Sequence, residues 1–172
     1  MTDARSHVRE TLDQAMLEFG ATVYICQLFE TSLCLLLALM SEQRLPSDGQ
    51  AFQASWDFHS EKTLGGLVAA LVGQIELPDD FESFLREGVG QRNAIIHGYM
   101  TKNTPRFMDP KGRLEVIEEL RGIRNNIRER DLAICKLLDA LLLKYGTSTE
   151  ALKRNADVLW DALNLPTGPT SH

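Results

Sequence analysis

The chain has 172 residues, 44% hydrophobic and 24% charged, the composition of a soluble globular protein with one core and one domain. Its formal net charge of −6 excludes a protein that coats nucleic acid by bulk electrostatics. Cys26, Cys34 and Cys135 sit in apolar sequence with no CxxC or Cys/His cluster, which excludes a zinc module and a disulfide framework and points to buried thiols in a reducing cytoplasm.

The pattern is helical almost throughout. Asp3, Arg5, His7, Arg9 and Glu10 interrupt any apolar run at the start, so no signal peptide is expected. A first helix is predicted from about Asp3 to Gln43, with a bend at Gly20. Its stripe of Leu12, Met16, Phe19, Val23, Cys26, Leu33 and Leu37 follows one helix face. The stretch from Val23 to Met40 carries Gln27 and Glu30, which argues for a buried helix rather than a membrane span. Pro46, Ser47, Asp48 and Gly49 form a breaker, followed by a helical region over about Ala51–Gln74 in which Ser60 or Thr63 caps an apolar run. Pro78-Asp79-Asp80 opens the next helix, with acids where the helix dipole favours them, and it runs to about Lys102. Thr104 to Gly112, with two prolines and a glycine, reads as a loop. A long helix follows over about Arg113–Tyr145 and stops at Gly146. A short last helix begins at Ser148 or Thr149 and ends near Asn164. The expectation is an all-α antiparallel bundle of four to five helices in a single domain over residues 1–165, with a disordered tail over 166–172.

Helical phase places several charges where apolar side chains belong. The stripe of the helix opened by Pro78 is Phe81, Phe84, Leu85, Gly88, Ile95, Ile96 and Tyr99, and Arg92 falls near its centre. Glu30 occupies the same kind of place on the first helix, and Asp131 sits among Ile127, Ile134 and Leu138. Buried charges are expensive unless paired, so Arg92 is expected to pair with Glu30 or Asp131. His97 and Asn93, four residues apart, share the other side. The window from Thr101 to Arg130 holds eight basic and five acidic residues, a local +3. It forms either a basic patch beside Arg92 and His97 or a solvated face of alternating charge.

The most informative segment is Gln91-Arg92-Asn93-Ala94-Ile95-Ile96-His97-Gly98-Tyr99. An arginine that can neutralise a phosphate lies within little more than a helical turn of a histidine, the side chain suited to proton transfer near neutrality. This segment resembles the Arg-X4–6-His signature of HEPN-type helical ribonucleases, and the upstream Gln27-Leu28-Phe29-Glu30 is similar to the family as well. The resemblance covers roughly Gly20 to Tyr145 and is sharp only at the motif. It implies a stand-alone HEPN-like helical domain that dimerises to bring two Arg/His motifs into one cleft.

Carried onto this chain, the resemblance makes His97 the general acid/base for attack of an RNA 2′-OH on the adjacent phosphate. Arg92 stabilises the developing charge and Asn93 orients His97 or the phosphate. The products would be 2′,3′-cyclic phosphate and 5′-OH ends, with no metal and no cofactor. RNA is then the substrate, a second copy the partner, and an antitoxin or regulatory protein a further partner in a toxin–antitoxin or phage-defence role in the cytoplasm, away from the membrane. Tyr99 belongs to the core stripe with its hydroxyl at the cleft edge, while Lys102 and Arg106 are candidates for flanking phosphates or for plain solvation. The alternative is a non-catalytic module of the same fold, in which Arg92, Asn93 and His97 form a polar interface with a protein or RNA. His59, beside Trp56, Asp57 and Phe58, reads as a packing or capping residue.

Overall fold

The computed structural model describes residues 2–41, 49–151 and 153–154, with side chains for 9–41, 52–151, 153 and 154. All regular structure among these residues is helical. In chain order the elements are α1 (Thr2–Met40), α2 (Gly49–Ser60), α3 (Leu64–Gln74), α4 (Asp79–Met108) and α5 (Pro110–Lys144). Helical backbone resumes at 149–151 and 153–154, where the Ser148 hydroxyl accepts from the Ala151 N–H at 3.2 Å. The breaker at 46–48, the rest of the last helix and the tail over 166–172 lie outside the described residues.

Local chemistry sets most of the boundaries. Thr63, rather than Ser60, caps α3 by accepting from Gly66 N–H at 3.2 Å, and the helical region over about Ala51–Gln74 divides there into α2 and α3. α5 ends in a Schellman turn: Thr147 N–H reaches Leu142 O, Gly146 N–H reaches Leu143 O, and Gly146 takes φ 78°. α1 runs through Gly20 without a break.

The segment expected as a loop over Thr104–Gly112 is almost wholly helical. α4 continues to Met108 with Pro105 inside it, and only Asp109 separates it from α5. The Asn103 carboxamide and the Thr104 hydroxyl donate to Tyr99 O and Met100 O, adding side-chain bonds where proline removes an N–H. Pro110 is the first residue of α5, where its missing N–H costs nothing, and Asp109 Oδ2 caps the helix by accepting from Gly112 N–H at 2.7 Å. Gly112 is required by proximity, because a Cβ there would lie 2.6 Å from Arg106 O. Arg113, buried at this corner, donates to Phe107 O and Met108 O and so satisfies the last carbonyls of α4.

α1 packs chiefly against α5, and the two run parallel: Thr22 reaches Leu120 O, Ser32 reaches Asp131, and Tyr145 reaches Leu39 O. α4 is antiparallel to both, with Phe19 stacked on Tyr99 and Arg130 bonded to Glu87. The antiparallel expectation therefore holds for α4 and not for the α1–α5 pair. The Arg9–Met40 part of α1 is long and apolar enough to cross a membrane by length and composition. In the fold, its Cys26, Phe29, Leu33, Leu36 and Leu37 are buried in the common core with Leu67 and Leu71 of α3, Leu85 and Ile95 of α4, and Leu120, Ile127 and Ile134 of α5.

Charged side chains tie these helices together. Glu18, 5% exposed, accepts from Arg121 and Gln14 at 2.9 Å each and also from Arg124. Burial works to raise its pKa, but these partners together outweigh it and hold the carboxyl below the usual range. Arg130, 4% exposed, donates to Phe84 O, Asn126 O and Glu87, and its guanidinium lies 4.3 Å over the Phe84 ring.

Candidate Arg/His site

Arg92 and His97 come from the middle of α4, where Leu85, Gly88, Ile95 and Tyr99 are buried and pin the helix to α1 and α5. Arg92 points inward, as the phase predicts. Its Nη2 donates to Glu30 Oε2 of α1 at 2.7 Å and its Nη1 to Asn93 Oδ1 at 3.2 Å. The partner is thus Glu30 and not Asp131, whose Oδ1 accepts from Ser32 at 2.7 Å on the α1–α5 side of the bundle. Helical phase identified both acids as misplaced. Which of them faces α4 depends on the packing of α1, which phase within one helix does not reveal.

The Arg92 side chain is 18% exposed and that of Glu30 is 27% exposed, so the pair sits at the edge of the core with solvent access. A guanidinium has five N–H donors, and these two bonds use two of them. The Nε is buried with no partner among the described residues. Cys26 lies in the same neighbourhood: burial pushes its thiol up to about 11 against the opposing effect of Arg92, with Glu30 adding to the rise. It is therefore an inert thiol.

Asn93 and His97 are exposed, as expected for the outer face. Asn93 gives its oxygen to Arg92, which links it to the arginine rather than to the histidine. Among the described residues His97 makes no hydrogen bond or ion pair, so both ring nitrogens are open to a ligand. Next to it the backbone leaves helical geometry at Gly98 (φ 173°, ψ 4°), and α4 kinks there. At the kink lies a depression of about 200 Å³ lined by Phe19 of α1 and by residues 95–101, including Ile96, His97, Met100 and Thr101. Sequence reading placed Phe19 and Ile96 only in core stripes. Ile96 is 37% exposed at the rim.

The flanking residues divide. Lys102 is exposed and its Cε passes 3.9 Å from the position a Gly98 side chain would take, so it lies over the rim of the depression. Tyr99 is buried, stacked on Phe19 at 6.1 Å, and its hydroxyl faces the Glu119–Arg106 pair without hydrogen-bond geometry. Burial first, and then the Glu119 charge, push this phenol up to about 12. It is a core residue, and its hydroxyl is not offered to a cleft. Arg106 is committed to Glu119 at 2.6 Å and to Asn103 at 2.8 Å, with Glu115 close by, and it clasps α4 to α5 instead of waiting for a phosphate.

The wider basic patch dissolves in the same way. Of the eight basic residues over 101–130, Arg106, Arg113, Arg121, Arg124 and Arg130 bond within the fold. Among the described residues Lys102, Lys111 and Arg128 are the exposed cations of this window without an ion-pair partner. His59 is buried against Phe58 at 5.1 Å, a packing residue as expected. Among the described residues no three His, Cys, Asp or Glu side chains gather in metal-ligand geometry. The chain matches no protein-family model, no curated protein and no solved structure.

Proposed function

We propose that the chain is a HEPN-like, metal-independent endoribonuclease that acts as a homodimer in the cytoplasm, in a toxin–antitoxin or phage-defence role with a protein antitoxin or regulator. The observation that carries this reading is the exposed, unbonded His97 five residues along one helix from an Arg92 anchored by Glu30 with donors to spare. In the reaction, His97 of one copy takes the proton from the 2′-OH as the 2′ oxygen bonds to phosphorus. The bond from phosphorus to the 5′ oxygen breaks, and the second copy's His97 returns a proton to that oxygen. Arg92 stabilises the charge on the non-bridging oxygens, and Glu30 holds its guanidinium in place. One chain offers a single open histidine at this place, whereas the step uses a base and an acid, and the second copy supplies the other.

A non-catalytic interaction module is the second reading. It is favoured by the internal bonding of five of the eight arginines and lysines over residues 101–130 and by the overall charge of −6, both of which weaken attraction to phosphates. Incubating total RNA with wild type, His97→Ala and Arg92→Ala in EDTA, followed by end-group analysis, separates the two. Cyclic phosphate ends from wild type alone support the nuclease. Equal inertness of all three folded proteins, together with capture of a protein partner by each, establishes the module.

A further inference from the structure

We infer that the depression at the α4 kink is a seat for one nucleotide of single-stranded RNA, with the base in the hollow and a neighbouring phosphate between Lys102 and His97. This deepens the ribonuclease reading, on which its catalytic consequence rests, and its binding test stands apart from that reading.

Two independent observations meet here. The hollow is small: about 200 Å³ is below the range of roughly 300–1,000 Å³ that takes a drug-sized ligand, so it admits a flat ring and not a whole nucleotide. Its walls suit such a ring. Phe19 is backed by its stack on Tyr99, and Ile96 and Met100 provide apolar sides. Thr101 and the kinked backbone at Gly98 give a polar edge where a base carries its hydrogen-bonding groups. Separately, Lys102 stands exposed beside Gly98 of the hollow, without an ion-pair partner among the described residues. A helical side chain leans toward the N-terminus of its helix, which carries Lys102 back over Gly98, the residue after His97. Gly98 has no side chain to block that path.

The seat also assigns a reason for the kink. A regular helix would keep its backbone groups satisfied and its side chains packed through Tyr99, leaving no recess next to the histidine. Departure from helical geometry at Gly98 opens the recess within one residue of the proposed acid/base. A base held there fixes the position of the adjoining phosphate relative to His97, so the seat sets which bond in the RNA is presented for cleavage.

The test uses the full-length wild type, with His97 in place, and strands 2′-O-methylated throughout, which lack the 2′-OH that cleavage under the nuclease reading requires. Short oligoribonucleotides carrying 2-aminopurine are titrated and compared with the same strands bearing one abasic position. The expected result is base-dependent fluorescence quenching and about tenfold weaker binding of the abasic strand, within the range for loss of one stacked base. Ile96→Ala should abolish that difference while binding the abasic strand as before. Lys102→Gln should weaken both strands and flatten the salt dependence by about 0.7 in log–log slope, one phosphate of a single strand. Equal affinity for the base-bearing and abasic strands in the folded protein overturns the seat. If wild type leaves RNA intact while the base-dependent binding persists, the nuclease reading falls and the seat stands. If wild type cleaves RNA with a site preference unchanged by Ile96→Ala, the reading stands and the seat falls.

Discussion

Gly88→Ala tests the packing of α4 against α5 through a change of sign. In an ordinary helix this substitution stabilises by about 1 kcal/mol, because glycine loses more backbone entropy than alanine. Here the new Cβ would lie 3.0 Å from Arg130 Nε, 3.3 Å from Phe29 Cε1 and closer still to Arg130 Cδ. The arginine cannot swing aside cheaply, since its three nitrogens are held at 2.7 Å by Phe84 O, 2.7 Å by Asn126 O and 2.6 Å by Glu87. Overpacking costs about 1–3 kcal/mol, and losing a hydrogen bond from a charged donor adds about 1.5–3 kcal/mol. After the helix gain is subtracted, the net loss is about 1.5–5 kcal/mol. In an Arg130→Ala background, with its own lower stability, the same change should stabilise by about 1 kcal/mol. Urea unfolding followed by far-UV circular dichroism on the four proteins measures the coupling. If Gly88→Ala stabilises the wild type, or if the two changes add within about 0.5 kcal/mol, the close approach of Arg130 is not what excludes a side chain there.

Two further outcomes follow from buried ionisable groups. Glu18 is held below the usual carboxylate range, so its contribution is present above the unfolded value and lost as pH falls through the lower folded value. Glu18→Gln should lower stability by about 1–3 kcal/mol at neutral pH and flatten the acid limb of a stability–pH curve, and an unchanged acid limb would show that Arg121 and Arg124 do not hold the carboxylate. Tyr99 is the opposite case: its phenol is pushed up to about 12, so its contribution is intact below pH ~10 and is lost as pH rises toward 12. Tyr99→Phe removes a buried hydroxyl that has no hydrogen-bond partner among the described residues, so calorimetry at neutral pH should find stability equal or higher by up to about 1 kcal/mol, with the alkaline limb gone. A loss above 1 kcal/mol would mean that the hydroxyl is bonded after all.

Much of the fold was legible because apolar periodicity and caps are local signals. Thr63, Pro78 and Gly146 act where the sequence places them. The loop expected over Thr104–Gly112 failed because proline and glycine each carry two meanings. Pro110 begins a helix, Pro105 is tolerated inside one, and Gly112 marks a close approach to Arg106. At the site, phase correctly turned Arg92 inward and His97 outward. It did not reveal that Ile96 sits at a rim, since phase within one helix does not tell how far the neighbouring helices cover its apolar stripe. Glu18, Arg113 and Arg130 were readable by the argument that singled out Arg92. Arg130 shares a face with Ile127, Ile134 and Leu138, and Glu18 shares one with Ala15, Thr22 and Phe29. Phase marks each as misplaced, and only the packed bundle shows what each one clamps: Glu18 joins α1 to α5, Arg113 closes the α4–α5 corner and Arg130 joins α5 to α4.

The parallel pairing of α1 with α5 has a consequence for the chain during its synthesis. Thr22 of α1 meets Leu120 of α5 across 98 residues of sequence, and Ser32 meets Asp131 across 99. At about 5–20 residues per second, a ribosome takes roughly 5–20 s to make the segment that separates such partners. For that interval the longest helix of the protein, with an apolar face along its second half, is outside the ribosome without its principal cover. The nascent chain therefore has a window in which chaperones, a membrane surface or another nascent copy compete with α5 for the same face, and it closes only when the last third of the chain has emerged.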